Sequence, residues 1–221
     1  RLHQDRIRCY LDHGVYPHGE ETFHQEIKQV SAGSWLCYEN EKQTQYSYYN
    51  LRTECASLSE ENLEVEHYES LFEDAINLRL RSDVPISLHY SGGTDSTALM
   101  LKIREAWGEN PSLTAFSMGY EEAEFDESNL AKSYCDQIGV KHQKVMLSHQ
   151  EVPELAATLH GFQDEPYGGI PTIAYYKLNM VERQQGFIVS LEGQGGDETF
   201  GGYLYHAYLA MYDLLSTGKN Q

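Results

Sequence analysis

From residue 84 onward the chain alternates short apolar runs with segments of helical spacing, and no other feature restricts its fold as much. Val84 to Tyr90 reads as a buried strand, with Pro85 near its entrance, where a missing amide donor is tolerated. Leu113 to Met118, Gln143 to Leu147 and Phe187 to Leu191 read as further strands. Between them the spacing predicts helices over Ser96 to Trp107, Glu127 to Ile138, Gln150 to His160 and Pro171 to Val181, the last with its proline in a permitted first turn. An earlier helix starts near Ser59, a candidate cap, and carries Leu63, Tyr68, Leu71, Phe72, Ala75 and Ile76 at helical spacing. Short strands separated by helices imply an α/β fold: a parallel sheet with helices on both faces. Ligands in such sheets bind beyond the carboxyl ends of the strands, so the turns after Tyr90, Met118 and Leu191 are where a site is expected.

Residues 1–57 read differently. A short helix around Arg6 to Leu11 leads into the Gly- and Pro-punctuated stretch His13 to Gly19. The Tyr- and Thr-rich segment Trp35 to Tyr49 favours two strands around a polar turn near Glu39 to Lys42. This part is small and polar, and is expected to be an interdomain junction or flanking segment beside a main domain over 58–221. The 221 residues suffice for one sizeable domain with an appendage. Arg1 is not an initiator Met and the chain stops soon after a motif, which fits a piece of a longer polypeptide.

Acidic residues number 34 against 16 basic ones, a formal charge of -18 that disfavours DNA or RNA as a major partner. Nothing resembles a signal peptide, and no apolar run is long enough to cross a membrane. Cys9, Cys37, Cys55 and Cys135 are widely spaced, without a CxxC pair or a zinc-ligand cluster, and are expected to be reduced thiols of a cytoplasmic protein.

The turn after the first strand is Ser91-Gly92-Gly93-Thr94-Asp95-Ser96. Adjacent glycines open backbone conformations closed to other residues and let a ligand touch the main chain. Turn amides, the Ser91 and Ser96 hydroxyls and the start of the next helix can together surround phosphate oxygens. No lysine follows, so this is neither GxxxxGK[ST] nor the dinucleotide pattern GxGxxG. Beside phosphate, the Asp95 carboxylate needs a cation such as magnesium between them. Tight turns and helix caps use the same residue types, so the weight rests on the whole hexapeptide and its place between strand and helix.

A second acidic glycine motif, Glu192-Gly193-Gln194-Gly195-Gly196-Asp197-Glu198, follows the strand ending at Leu191, with Gly201-Gly202-Tyr203 close behind. Clustered glycines and carboxylates make poor core. They suit a backbone wrapped around a nucleotide or acyl-adenylate, with Asp197 as a second magnesium contact, and the alternative is a capped helix with a glycine hinge.

SGGTDS, with Phe116-Ser117-Met118-Gly119-Tyr120, Asp164-Glu165-Pro166 and the stretch Gly193 to Tyr203, resembles the synthetase domain of the glutamine-hydrolysing asparagine synthetase family. Lasso-peptide cyclases and beta-lactam synthetases are related. The likeness runs from roughly residue 1 to residue 215 and rests on four ordered motifs. It implies an adenine nucleotide alpha-hydrolase-like ATP pyrophosphatase fold, present here in part. It implies that ATP binds over Ser91, Gly92, Gly93, Asp95 and Ser96, with the main chain near Met118 on adenine, Gly193 at the nucleotide and Asp95 with Asp197 holding Mg2+. The substrate carboxylate would attack the α-phosphorus, pyrophosphate would leave, and ammonia or an amine would capture the acyl-adenylate. In the family the nitrogen comes from glutamine through a glutaminase domain, which has no counterpart in these residues. The family's later catalytic lysine has none either.

Two departures concern the site. Where the family reads SGEGxDE, this chain has Glu192 first and Gln194 in place of the glutamate, and a glutamine hydrogen-bonds but is a poor base. Asp95, Asp197 and Gln194 are the candidate catalytic residues, and Gln194 leaves open a peptide or another small acid as the carboxylate substrate. His89-Tyr90 replace the small aliphatic pair usual before SGG, and His89 reads as a packed strand residue with nucleotide contact as the alternative. The loop Asp164 to Pro171 is a candidate wall of the acyl pocket, and Phe125-Asp126-Glu127 a helix start that dipole effects alone account for. A homodimer and a non-catalytic nucleotide-binding homologue stay open.

Overall fold

The computed structural model describes residues 1–57, 65–108, 113–124 and 126–217. Backbone contacts divide the chain into two compact units, Arg1–Glu64 and Val65–Gln221.

The first unit holds α1 (Gln4–His13), the antiparallel hairpin β1 (Ser34–Glu39) and β2 (Lys42–Ser47), and α2 (Leu51–Ser57). Helix α1 ends on Gly14 in the left-handed region, whose amide bonds back to Tyr10 O. Tyr10, Tyr16 and Phe23 pack edge to face, and Phe23 is buried. The hairpin falls where the Tyr- and Thr-rich segment predicts it, and its two turn residues, Asn40 and Glu41, both have positive φ. Trp35 and Tyr46 are register partners and their rings stack 4.3 Å apart. Helix α2 lacks an apolar period and is not anticipated by the sequence.

The second unit runs α3 (Val65–Arg79), β3 (Ile86–His89), α4 (Thr94–Trp107), β4 (Thr114–Tyr120), α5 (Ser128–Ile138), β5 (Lys141–Leu147), α6 (Val152–His160), α7 (Ile170–Gln184), β6 (Val189–Leu191), α8 (Gly196–Phe200) and α9 (Leu204–Thr217). The strands form one sheet in the order β5-β4-β3-β6, and every neighbouring pair is parallel. Each predicted strand and helix between 84 and 191 is present, with ends shifted by a few residues. Ser59, Leu63 and Phe125 lie outside the described residues. Leu71, expected on the apolar stripe of α3, is 56% exposed; Ile76 on the same helix is buried.

The pleat sorts the core. Leu88, Tyr90 and Ala115 join Ile76 of α3, Met100 and Ile103 of α4, and Ala131 and Cys135 of α5. Phe116, one residue beyond Ala115 and therefore on the other face, meets Val145, Leu178 of α7 and Phe187. The sheet is thus covered on both faces, as the apolar character of its strands requires. Leu88, Phe116, Met100 and Ile103 are each at most 1% exposed, and burying a side chain of that kind contributes about 1.5–3 kcal/mol.

The chain moves from β3 outward to β4 and β5, then returns to place β6 on the other side of β3. The turns leaving β3 and β6 therefore diverge at neighbouring strand tips and open a crevice there.

Candidate active site

A cavity of about 580 Å³ lies at the carboxyl ends of β3, β4 and β6. Its wall includes Ser91, Gly93, Thr94, Asp95 and Ser96 from the first turn, Met118 and Tyr120 from β4, and Glu192, Gly193, Gln194 and Asp197 from the last. Helix α7 adds Pro171, Ala174, Tyr175 and Leu178, and Glu127 stands at the start of α5. A volume of this order is typical of small-molecule sites. Except for Gly92, which is one residue behind the wall, every residue singled out as catalytic, nucleotide-binding or metal-holding lines this one cavity.

The first turn is internally braced. Ser91 Oγ lies 3.1 Å from Ser96 Oγ, the Gly93 amide donates to Ser91 Oγ at 3.2 Å, and Ser96 Oγ donates to Gly93 O at 3.2 Å. Gly92 takes φ 83°, a conformation that a side chain would strain. Helix α4 begins at once at Thr94, so its first-turn amides, which have no partner within the helix, open at the turn.

The second turn is pressed onto the first. A Cβ on Gly193 would lie 3.1 Å from Ser96 N and 3.2 Å from Asp95 Cβ, and one on Gly196 would lie 2.6 Å from Asp95 Cγ. The glycines are there because the backbone of one motif occupies the space beside the carboxylate of the other. Asp197 is held in the same way by Gly202, where a Cβ would lie 2.8 Å from Asp197 Cγ. Just beyond α8 the chain folds back on it: Gly202 N donates to Asp197 O at 2.9 Å, and Tyr203 donates its hydroxyl to Glu198 at 2.8 Å.

His89 is the last residue of β3 and faces α7. Its Nε2 is 2.9 Å from Glu182 Oε2, and its Nδ1 is 3.5 Å from Glu192 Oε2. Glu182 is 3% exposed and also accepts from Ser190 Oγ at 3.1 Å. The reading of His89 as a packed strand residue is right about its burial, yet the ring also lines the cavity. Glu182 was not anticipated, although Ala174, Leu178 and Glu182 recur every fourth residue, which places a carboxylate on the buried stripe of α7.

Other candidates resolve into supports. Asp126, two residues before the first residue of α5, accepts from the Ser128 amide at 3.1 Å and pairs with Lys144 at 2.6 Å. Burial raises its carboxyl pKa, but Lys144 and Ser128 outweigh that and hold it below the usual range. Of the loop Asp164 to Pro171 only Pro171 reaches the cavity wall, and Tyr167 instead donates to Ala156 O at 3.3 Å. Burial raises the Tyr120 phenol, and it raises that of Tyr175 together with the charge and hydrogen bond of Glu192.

The family described as asparagine synthase matches residues 67–217, which is most of the chain and all of the cavity wall. This chain belongs to the asparagine synthase family. It is 27% identical over 205 residues to a putative glutamine-hydrolyzing asparagine synthetase 2 of Methanocaldococcus jannaschii, covering 93% of this chain and 39% of that protein. It is 28% identical over 204 residues to the glutamine-hydrolyzing asparagine synthetase 1 of Bacillus subtilis, covering 91% of this chain and 31% of that protein. A relative of another name, the amidase chry2 of Gibberella zeae, is 27% identical over 198 residues, covering 82% of this chain and 30% of that protein. The chain thus spans well under half the length of these relatives.

Proposed function

We propose that residues 58–221 are part of a synthetase domain that adenylylates a substrate carboxylate with ATP, releases pyrophosphate and passes the acyl group to ammonia or an amine, with residues 1–57 as the junction to the rest of the protein. The observation that carries this is the packing of Asp95 against Gly193 and Gly196. Motifs a hundred residues apart in sequence form one wall at a sheet switch point, which suits a ligand that is long and anionic at one end.

In this reading the α4 amino terminus, the Ser91 and Ser96 hydroxyls and the main chain of Gly92, Gly93 and Gly193 face the phosphates, and the main chain near Met118 faces adenine. The carboxylate oxygen attacks the α-phosphorus, the bond to the bridging oxygen breaks, and pyrophosphate leaves with the electron pair. Among the described residues, the wall holds Asp95, Glu127, Glu192 and Asp197 and no lysine or arginine. A polyphosphate enters such a place only with cations. Asp95 and Asp197 both line the cavity and would offer Mg2+ hard carboxylate oxygens, with its remaining positions left to waters and phosphate oxygens. When bound, the ion would offset charge on the departing pyrophosphate.

Aspartate is the first acid to test, given the names of the relatives. Gln194, a hydrogen-bonding side chain that is a poor base, favours the second reading, a cyclase or amidotransferase acting on a peptide or another small acid. A glutaminase domain elsewhere in the protein, a homodimer and a cytoplasmic location belong to the same proposal. Isotope exchange between pyrophosphate and ATP, run across a panel of acids, tests it. Exchange that needs aspartate supports asparagine formation, and exchange with another acid alone supports the second reading. ATP binding with no exchange for any acid would mean a nucleotide-binding homologue without turnover.

A further inference from the structure

The cavity has two unlike halves. Toward the α4 amino terminus it is polar, with Ser91, Ser96 and Asp95; toward α7 it is apolar, with Phe116, Met118, Ala174 and Leu178. Glu192 stands where the halves meet. Its neighbour Gly193 is pressed against Asp95 and Ser96, while its own side chain turns to α7, where the Tyr175 hydroxyl donates to the carboxylate. Glu192 Oε2 also lies 3.5 Å from His89 Nδ1, so the carboxylate reaches from the end of β6 to the end of β3. That is the strand from which the Ser91–Ser96 turn departs, and Met118 is on the next strand, β4. The Glu192 side chain is 41% exposed, and Tyr175 takes one of the roughly four lone-pair sites on its two oxygens. A carboxylate with free acceptor sites beside a polyphosphate repels the ligand unless the ligand brings donors to it. In a nucleotide with its base on the apolar half and its phosphates at the turn, the sugar bridges the two. A ribose presents two neighbouring O–H donors there, and the two oxygens of one carboxylate can accept both. Dinucleotide-binding folds use an acidic side chain for a ribose hydroxyl on the same chemistry. The glutamate is this chain's own, since the family pattern SGEGxDE has serine at that position.

We propose that the Glu192 carboxylate accepts the 2′- and 3′-hydroxyls of the nucleotide's ribose, held in place for them by Tyr175, and so selects ribonucleotides over deoxyribonucleotides. This rests on the ATP-binding reading above. Glu192 touches the sugar, and Tyr175 is a positioning residue. The hydroxyls are neutral donors, so this contact needs no cation and is separate from the magnesium assigned to Asp95 and Asp197.

The test is titration calorimetry on the full-length protein in saturating magnesium, with ATP and 2′,3′-dideoxy-ATP as the probes. The unaltered protein is expected to prefer ATP by at least about 10–100-fold, what a hydrogen bond to a charged acceptor contributes. In Glu192→Ala that preference should fall below about 3-fold, because variant and analogue remove the same contact. The ratio is the readout, since losing a carboxylate also lessens the repulsion of every triphosphate and dideoxy-ATP should bind Glu192→Ala at least as tightly as before. The single analogues 2′-deoxy-ATP and 3′-deoxy-ATP should each fall between ATP and dideoxy-ATP on the unaltered protein. Tyr175→Phe should lower the preference without abolishing it. Should Glu192→Ala fail to fold, Glu192→Gln keeps the shape without the charge and decides the question with a preference at least about 5-fold below that of the unaltered protein. A preference untouched in the Glu192 variants overturns the assignment. So does a raised magnesium requirement, or a raised KM for the acid in pyrophosphate–ATP exchange, with the preference intact: Glu192 would then face a metal ion or the acid. Failure of the unaltered protein to bind ATP overturns the nucleotide reading itself, whereas ATP binding with no preference over dideoxy-ATP sinks the ribose contact alone.

Discussion

Asp95 depends on a hydrogen atom in Gly196, since any Cβ there would lie 2.6 Å from Asp95 Cγ. Gly196→Ala should push the carboxylate aside while leaving the sheet untouched, lowering magnesium-dependent ATP affinity about 10–100-fold, the range for disturbing a ligand's support. Asp95→Asn and Asp197→Asn should do at least as much. Calorimetric titration checks this, and unaltered affinity in all three would remove Asp95 and Asp197 from the site. Away from the cavity, Glu151 accepts two hydrogen bonds from Lys177, at 2.5 and 2.6 Å, joining the start of α6 to α7. Lys177, then the Ser148 amide, lower its pKa to about 2 from an ordinary 4.5. A depressed carboxyl pKa means stability that is present above about 4.5 and lost as pH falls toward 2. The side chain is 44% exposed, so solvent reduces the effect. Lys177→Met should flatten acid unfolding across that window and change little at neutral pH, as read by circular dichroism against pH.

At the scale of elements, legibility followed periodicity. Strands β3 to β6 announce themselves as short apolar runs and helices α4 to α7 by an apolar face, each with a Gly or Pro near a boundary. Helix α8 does not, since Gly195 and Gly201 bracket five residues that read as loop. Helix α9 escapes for the opposite reason: besides Leu204, Tyr208, Met211, Tyr212 and Leu215 on one face, Tyr205, Leu209 and Leu214 extend the exposed apolar surface over more than half of the helix, and no narrow stripe stands out. The two glycine motifs were legible individually, and their convergence followed from the strand-end rule. The His89–Glu182 contact was not, because 93 residues separate the partners and spacing says nothing about which strand a helix will cover. The hairpin offers an element-level prediction. Glu41 holds φ 61° in a two-residue turn, where glycine carries no side-chain penalty. Glu41→Gly should stabilise the β1–β2 hairpin by up to about 1 kcal/mol, the left-handed cost recovered less glycine's extra chain entropy. Slower amide exchange across the Trp35–Tyr46 pair would register it, and faster exchange would count against a strained turn.

For the molecule as a whole, electrostatics sets a problem that the proposed ligand must solve. A chain of net charge -18 with four carboxylates around its cavity repels a polyphosphate. At physiological salt the long-range part is screened beyond about 8 Å, so the barrier that remains is local to the wall. Two kinds of site have opposite responses to salt. A pocket built from lysines and arginines weakens steeply as salt rises, because phosphate contacts then compete with counterions; six to ten such contacts on DNA cost about 10³–10⁵ in affinity between about 50 and 200 mM. An acidic pocket bridged by divalent ions has no such contacts to lose, and screening relieves its repulsion. ATP should therefore bind negligibly in EDTA. With saturating magnesium its affinity should change by less than about 3-fold over that salt range, with any change toward tighter binding. Titration calorimetry at both salt concentrations, with and without magnesium, measures all four conditions. Tight binding in EDTA, or a steep loss with salt, would mean that cationic side chains rather than metal ions meet the phosphates.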